Sequence, residues 1–255
     1  MRKNDTHEPI RLNRYLAQLG VGSRRTCDEL IASGKVFVDG KRVHEPGMKI
    51  VPGSNRVRMG RVHLDTPPRR IVLLLNKPEG VVSTVSDPHD RPTVIDLCKR
   101  HNFTMRLFPV GRLDINTTGA ILLTNDGLLC YRLTHPRFQV PKTYTVRVRG
   151  LITDKKLRRL RSGGSTPARA FDSGRRSPVV TPVKTLKRES ILRIVLYEGR
   201  NRQVRKMCES AGLPVVKLKR VQFGPISIRK LPLGALRPLT NKELHLLETV
   251  LTGGT

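Results

Sequence analysis

A break at Pro67-Pro68, followed at once by Arg69-Arg70, constrains this chain more than any other single feature. Proline has no amide proton and a fixed φ, so neither a helix nor a central strand runs through two in succession. The sequence therefore reads as two domains, residues 10–66 and 70–249, joined by a semi-rigid tether. A length of 255 residues suits one small module and one larger one.

Before the break, Leu12, Leu16 and Leu19 recur at i, i+4 and i+7, which predicts a short helix. Gly20 and Gly22 end it. Ser23 is placed to cap a second helix, RRTCDELIASG, with Cys27, Leu30 and Ile31 facing inward and Gly34 closing it. Short strands follow, and Asp39-Gly40 is a two-residue hairpin turn. After the break, the run IVLLL (Ile71–Leu75) predicts a buried strand. Strand-like pieces TYTVRVRG, ILRIVLYEG and VVKLKRVQFG are interspersed with helix-like GLLCYRLTH, RNRQVRKMCESAG and KELHLLETVL. There is no regular βαβα alternation, so the second domain is expected to be α+β with a mostly antiparallel sheet. Residues 161–188 are polar, basic and loop-like.

Charge limits the partners. Lys and Arg total 49 against 20 Asp and Glu, a formal net charge of +29, so a polyanion, and nucleic acid above all, is the expected partner. No apolar run approaches the ~18 residues that span a bilayer. The N-terminal segment lacks a signal-peptide core, and no lipidation motif points to a membrane. Cys27, Cys98, Cys130 and Cys208 form no Cys-x-x-Cys pair and no His joins them, which reads as reduced thiols in a cytoplasmic protein with no metal site. Trp is absent and aromatics are 4% of the chain, which disfavours a platform of many stacked rings for single strands.

In the first domain, Arg24 and Arg25 open the second helix, and Lys35, Lys41 and Arg42 surround the hairpin. Cations at a helix N-terminus oppose the macrodipole, so they read as phosphate contacts rather than helix stabilisers. This stretch, RLNRYLAQLGVGSRRTCDELIASGKVFVDGKRV, resembles the αL RNA-binding domain shared with ribosomal protein S-four. The resemblance implies binding of structured RNA by shape and backbone.

In the second domain the densest constellation is PVGRLDINTTGAILLTNDG, residues 109–127. It sets one acid, Asp114, beside Arg112 in a Gly-bounded turn, followed by a strand-like AILL. A second segment, YEGRNRQVRKM, brings Arg200, Arg202, Arg205 and Lys206 at the entry to a helix. Should the two meet, Asp114 becomes a carboxylate in a strongly positive groove that holds RNA over it. Asp126, Asp87 and Glu198 read as turn, loop-cap and Arg-orienting residues. None pairs with Asp114, so a two-carboxylate hydrolase is disfavoured.

GRLDINTTGAILLTNDG, KTYTVRV, EGRNRQVRKM and LKRVQFGP, in that order and behind an αL module, resemble the RsuA/RluB family of pseudouridine synthases. NKPEGVVSTVSDPHDRPTV is similar to that family's first catalytic-domain segment. The resemblance implies an isomerase that converts specific uridines of ribosomal RNA to pseudouridine, with no cofactor and no metal. It makes Asp114 the catalytic carboxylate and Arg112 the residue that displaces the target nucleotide, since the base must leave its stack. Tyr144 matches the aromatic that packs on the flipped base, and Arg205 the cation paired with Asp114. Arg202 competes for that last assignment on spacing alone. Leu218 is expected against the tyrosine or the base, and Lys77 at the RNA backbone or holding a turn. Asn116 stands two residues after Asp114 where many members have an acid; this form leans toward 23S ribosomal RNA. A monomer acting on ribosomal RNA or an assembly intermediate is expected. The competing expectation is a non-catalytic RNA-binding assembly protein of the same fold.

Overall fold

The structure, a computed structural model, describes residues 8–163 and 176–252. The chain divides into two compact units between Arg70 and Ile71. In the first, β1 (Ile10–Arg11) leads into α1 (Leu12–Gln18) and α2 (Arg24–Ala32). Five short strands follow: β2 (Val36–Val38), β3 (Lys41–Val43), β4 (Lys49–Ile50), β5 (Val57–Met59) and β6 (Val62–His63). The Ser23 hydroxyl caps α2 by accepting from the Thr26 amide. Asp39 and Gly40 both take positive φ, 49° and 81°, joining β2 to β3 in the two-residue turn the sequence calls for. Leu12, Leu16, Cys27, Ile31, Val36 and Val57 form the core, and the Tyr15 hydroxyl closes over it by donating to the Leu64 carbonyl at 3.0 Å.

The second unit is built on one large sheet. In chain order it contains β7 (Val72–Lys77), α3 (Val94–Arg100), β8 (Phe108–Val110), β9 (Thr118–Thr124), α4 (Gly127–Thr134), β10 (Lys142–Arg149), α5 (Asp154–Arg161) and β11 (Val179–Lys184). Then come β12 (Glu189–Leu196), α6 (Gln203–Ser210), β13 (Val215–Phe223), β14 (Ile226–Ser227), β15 (Leu236–Pro238) and α7 (Asn241–Thr252). Among the described residues the strand order is β11-β12-β10-β13-β9-β7-β15. Pairing is antiparallel except between β13 and β9, which run parallel over two residue pairs. The class is α+β, as expected.

The unbroken apolar runs of β7 and β9 follow from burial on both faces. Leu73, Leu75, Ile121 and Leu123 face one core with residues of α3, α5 and α6; Val72, Leu74, Ala120 and Leu122 face the other with residues of α4 and α7. Among the described residues no helix is long and apolar enough to cross a membrane.

Three elements depart from the reading of the sequence. Helix α3 begins at a capping box, in which Thr93 and Asp96 exchange side-chain to backbone hydrogen bonds. That T-x-x-D signal stands in the sequence within a stretch read only as a motif. Helix α5 carries six charged residues in eight and buries only Leu160, so its apolar face is narrow and its apolar content low. Part of the 161–188 stretch is not loop: β11 lies at the sheet edge and buries only Val180, with Pro182 inside it. An edge strand with one buried residue gives almost no hydrophobic signal. Residues 164–175 of that stretch lie outside the described residues.

Candidate active site

Asp114 sits between β8 and β9 in a loop pinned on both sides. Ser83 Oγ donates to the Leu113 carbonyl (2.9 Å) and accepts from the Leu113 amide (3.1 Å). The Gly80 amide donates to the Ile115 carbonyl (3.1 Å), and the Thr117 amide closes a turn onto the Asp114 carbonyl (3.0 Å). The carboxylate is thus presented on a rigid backbone, which fixes the direction in which it can act.

Arg205 reaches it from α6. Its Nε lies 3.8 Å from Asp114 Oδ2, an ion-pair distance rather than a hydrogen bond. Its Nη2 donates to the Asn116 carbonyl (3.0 Å) and the Thr117 hydroxyl (3.4 Å). The guanidinium therefore ties down the loop that carries Asp114. Arg202, the rival on spacing alone, is the exposed N-cap residue of α6 with φ 52°. The entry to α6 is locked by Glu198, which takes Arg200 Nε at 3.0 Å and Gln203 Nε2 at 2.8 Å, while Gln203 Oε1 accepts from the Arg200 amide.

Asp114 borders two adjoining cavities. The smaller, about 60 Å³, is walled by Leu113, Tyr144, Leu196, Val204 and Leu218. The larger, about 360 Å³, runs from Arg112, Arg200 and Arg202 past Asp114 and Tyr144 to Lys142, Arg220 and Phe223. That volume is in the range of small-ligand sites and has room for an everted base. Arg112 and Arg202 are exposed, Tyr144 is 9% exposed and Leu218 is 5% exposed. Cations thus stand in the open part of the cleft, with an aromatic and an aliphatic side chain in its wall.

The inner wall depends on a β-bulge. Lys142 pairs with Phe223 and Thr143 with Gln222, but Tyr144 pairs with Arg220, so Val221 is the extra residue. Three positions apart on a regular strand, Arg220 and Phe223 would point to opposite faces; the bulge turns both toward the same cavity as Lys142 and Tyr144. Arg220 Nε donates to the Ala120 carbonyl at 2.6 Å, and its guanidinium lies 4.9 Å from the Phe223 ring centre and near the Tyr144 hydroxyl. Lys142 Nζ is 5.4 Å from the same ring. Burial and the charge of Arg220 push the Lys142 ammonium down to about 8, with Glu198 opposing. Burial also lowers Arg220. Neither residue was singled out in the sequence, where each reads as a cation on a strand and nothing marks the bulge.

Of the two readings the sequence left for Lys77, RNA backbone or turn, the structure supports the turn and not the RNA contact. Lys77 is fully buried at the end of β7, and its ammonium donates to the carbonyls of Pro78 (2.9 Å), Val81 (2.6 Å) and Ile115 (3.4 Å). It holds the turn that cradles the Asp114 loop and cannot reach an RNA backbone. Burial pushes it down to about 8, with Glu79 and Asp114 opposing. Asp126 is the N-cap of α4, accepting from the Leu128 and Leu129 amides. Cys98 and Cys208 are pushed up by burial to about 11 and about 12, which makes them poor nucleophiles. In the first unit Arg24, Arg25 and Lys41 are all exposed, and Phe37 carries Arg58 at 3.7 Å and Arg42 at 5.4 Å from its ring centre.

Known proteins share both units. Residues 71–210 match the RNA pseudouridylate synthase family, and residues 10–55 match the S4 domain. A protein of Bacillus subtilis named ribosomal large subunit pseudouridine synthase B is 38% identical over 96% of this chain and 98% of its own length. A protein of that name from Pseudomonas aeruginosa is 40% identical over 96% of this chain and 64% of its own. A crystal structure described as a pseudouridylate synthase superposes with a TM-score of 0.64 at 25% identity, covering 93% of this chain and 99% of that one. With the family matched over more than half its length and full-length relatives well above 30% identity, this chain belongs to the RNA pseudouridylate synthases, isomerases that turn uridine in RNA into pseudouridine, and carries an S4 domain ahead of its catalytic unit.

Proposed function

We propose that this protein isomerises a specific uridine of ribosomal RNA, in the 23S molecule, with Asp114 as the catalytic carboxylate. The observation that carries the reading is the Asp114–Arg205 pair, held on a pinned loop beside a cavity large enough for an everted base. The names of the Bacillus and Pseudomonas relatives support the large-subunit substrate.

The parts then divide the work. Arg24, Arg25 and Lys41 of the S4 domain hold structured RNA by its phosphates. Arg112 and Arg202, exposed beside the cavity, grip the strand while Arg112 displaces the target nucleotide. Tyr144 and Leu218 pack against the everted uracil, with the Tyr144 hydroxyl toward the carbon-5 proton that leaves. Arg205 keeps the Asp114 carboxylate aimed at the ribose.

The test is tritium release from 23S and 16S precursor RNA labelled at carbon 5 of uridine, with Asp114→Asn beside the wild type. Release from 23S RNA by the wild type, abolished in Asp114→Asn with RNA affinity retained, is the expected result. Equal release by both proteins would remove Asp114 from the chemistry. Release from 16S RNA only would overturn the substrate. RNA binding with no release from either RNA would leave the assembly-protein reading in its place.

A further inference from the structure

Two cations are buried in the cleft without a carboxylate to neutralise them. Arg220 is 3% exposed and Lys142 is 6% exposed. Among the described residues neither forms an ion pair with a carboxylate. The charge of opposite sign that acts on Lys142 is Glu198, which already engages Arg200 and Gln203. Among the described residues one guanidinium nitrogen of Arg220, Nη2, is buried and has no hydrogen-bond partner. Desolvated cations with open hydrogen-bonding capacity are costly to a fold, and a site that retains them at a ligand cavity is matched to negative charge that arrives there.

Two kinds of negative charge belong to an RNA substrate. Phosphodiesters stay with the strand, which must enter and leave, and the exposed Arg112 and Arg202 stand where the strand passes. The buried pair lines the same cavity, beside Tyr144 and against Phe223, the place that the proposed isomerisation gives the everted base. We propose that Lys142 and Arg220 form an anion site for the detached uracil, binding its carbonyl oxygens O2 and O4 while the glycosidic bond is open.

The inference rests on the isomerisation proposed above. When the C1′–N1 bond breaks, its electron pair stays with the pyrimidine and the negative charge spreads onto O2 and O4. This holds whether Asp114 bonds to C1′ or takes the C2′ proton, since the pair goes to the base in both. The ring turns, C5 bonds to C1′ as the Asp114–C1′ bond breaks or the proton returns from Asp114 to C2′, the C5 proton leaves and N1 takes up a proton, so the product is an isomer. A neutral uracil gains little from two cations, whereas the anion gains much, and an interaction stronger in the charged state accelerates the step. Retention also follows: the loose base is held while it reorients, between the Tyr144 and Phe223 rings that flank the pair.

The test measures single-turnover conversion and RNA affinity separately for wild type, Lys142→Met, Arg220→Gln and Lys142→Arg, after thermal unfolding has established that each is folded. The substrates are one ribosomal RNA fragment with uridine at the target and the same fragment with 5-fluorouridine, whose base is the more stable anion. Rearrangement to the carbon-linked nucleoside is read by chromatography; 5-fluorouridine has no C5 proton to release, so its carbon-linked product is the one that adds water across N1 and C6. Lys142→Met and Arg220→Gln should convert uridine about 10²–10³-fold more slowly with RNA affinity unchanged, as for loss of one donor to a developing anion. Their defect should shrink on 5-fluorouridine, and Lys142→Arg should recover most of the rate. A loss of RNA affinity with a normal rate at saturation would make the pair a phosphate contact and overturn the inference. Equal defects on both substrates would make its role structural and do the same. Full activity in every variant sinks the inference alone; an inactive wild type sinks the proposed reaction as well.

Discussion

Replacing Gly119 with alanine should cost the catalytic unit about 2.5–6 kcal/mol, summing backbone strain and a lost charged hydrogen bond. Gly119 has φ 112°, a conformation L-residues rarely adopt. A Cβ built there would lie 2.1 Å from the Arg220 carbonyl oxygen and 2.8 Å from both its carbonyl carbon and its amide nitrogen. These are backbone atoms of the neighbouring strand and cannot rotate aside. Among the described residues strands β9 and β13 pair in register at Thr118–Lys219 and Gly119–Arg220, so the clash is relieved by parting them. The strain alone is worth ~1–3 kcal/mol. Parting the strands also breaks the bond from Arg220 Nε to the Ala120 carbonyl, which at 2.6 Å and with a charged donor adds ~1.5–3 kcal/mol. Against a typical stability of ~5–15 kcal/mol this is a large fraction, and the melting temperature should fall on the order of 10 °C or more. The assay is thermal and urea unfolding followed by circular dichroism, with Gly127→Ala as comparator. Gly127 opens α4 with nothing within 4 Å of its Cβ position and no positive φ, so alanine there should be neutral or slightly stabilising. If the two variants melt within about 2 °C of each other, less than ~1 kcal/mol for a unit of this size, the close approach of β9 to β13 is not what Gly119 serves.

Further outcomes follow from the site and its supports. Lys77→Met, which strands three carbonyls, should lose about 1–3 kcal/mol of stability and leave RNA affinity unchanged; weaker RNA binding at unchanged melting temperature would return Lys77 to the phosphate contacts. Glu243 accepts both arms of Arg237 (2.6 and 2.7 Å) and the Thr240 amide, and its carboxyl is held down to about 2 from 4.5. Its folded value lies below the unfolded one, so its contribution is present above about pH 4.5 and fades as pH falls toward 2; after solvent screening it is worth about 1–2 kcal/mol. The stability gap between wild type and Glu243→Gln should therefore close on acidification, and a gap that stays constant with pH would contradict the reasoning. Lys142 is charged below about 8 and neutral above it, facing Arg220 and Tyr144 on the sheet, Arg112 and Asp114 before β9, and Glu198, Arg200 and Arg202 before α6. The single-turnover rate should thus decline as pH rises through about 8, and Lys142→Arg should carry that decline to higher pH because arginine keeps its charge; an unmoved decline would assign it to another group.

Much of the molecule was legible as sequence because its signals are local. The Ser23 cap, the Asp39-Gly40 turn and the apolar run at Ile71–Leu75 each depend on residues within a few positions of one another. Motif order carried the resemblance to Asp114, Tyr144, Arg205 and Leu218, and the structure brings Asp114, Tyr144 and Leu218 to one cavity with Arg205 against Asp114. Helix α5 and strand β11 escaped because each buries one residue and has little apolar content to mark it.

The sequence by itself determined the two units, the α+β class, the polyanionic partner and the segments that meet at the site. Only the tertiary structure decided between Arg205 and Arg202, because α6 starts at Gln203 after a left-handed turn, which puts Arg205 against the Asp114 loop and leaves Arg202 exposed. It also chose the turn for Lys77 and, with an extra residue at Val221, brought Arg220 and Phe223 to the same cavity as Tyr144 and Lys142. Gly119 and Gly127 lie eight residues apart, and what separates them is a strand that arrives from a hundred residues away. The physical reason is common to all of these. Caps, turns and hydrophobic periods are set by neighbours in the chain, whereas which side chain faces which is set by register, and one bulged residue reverses it.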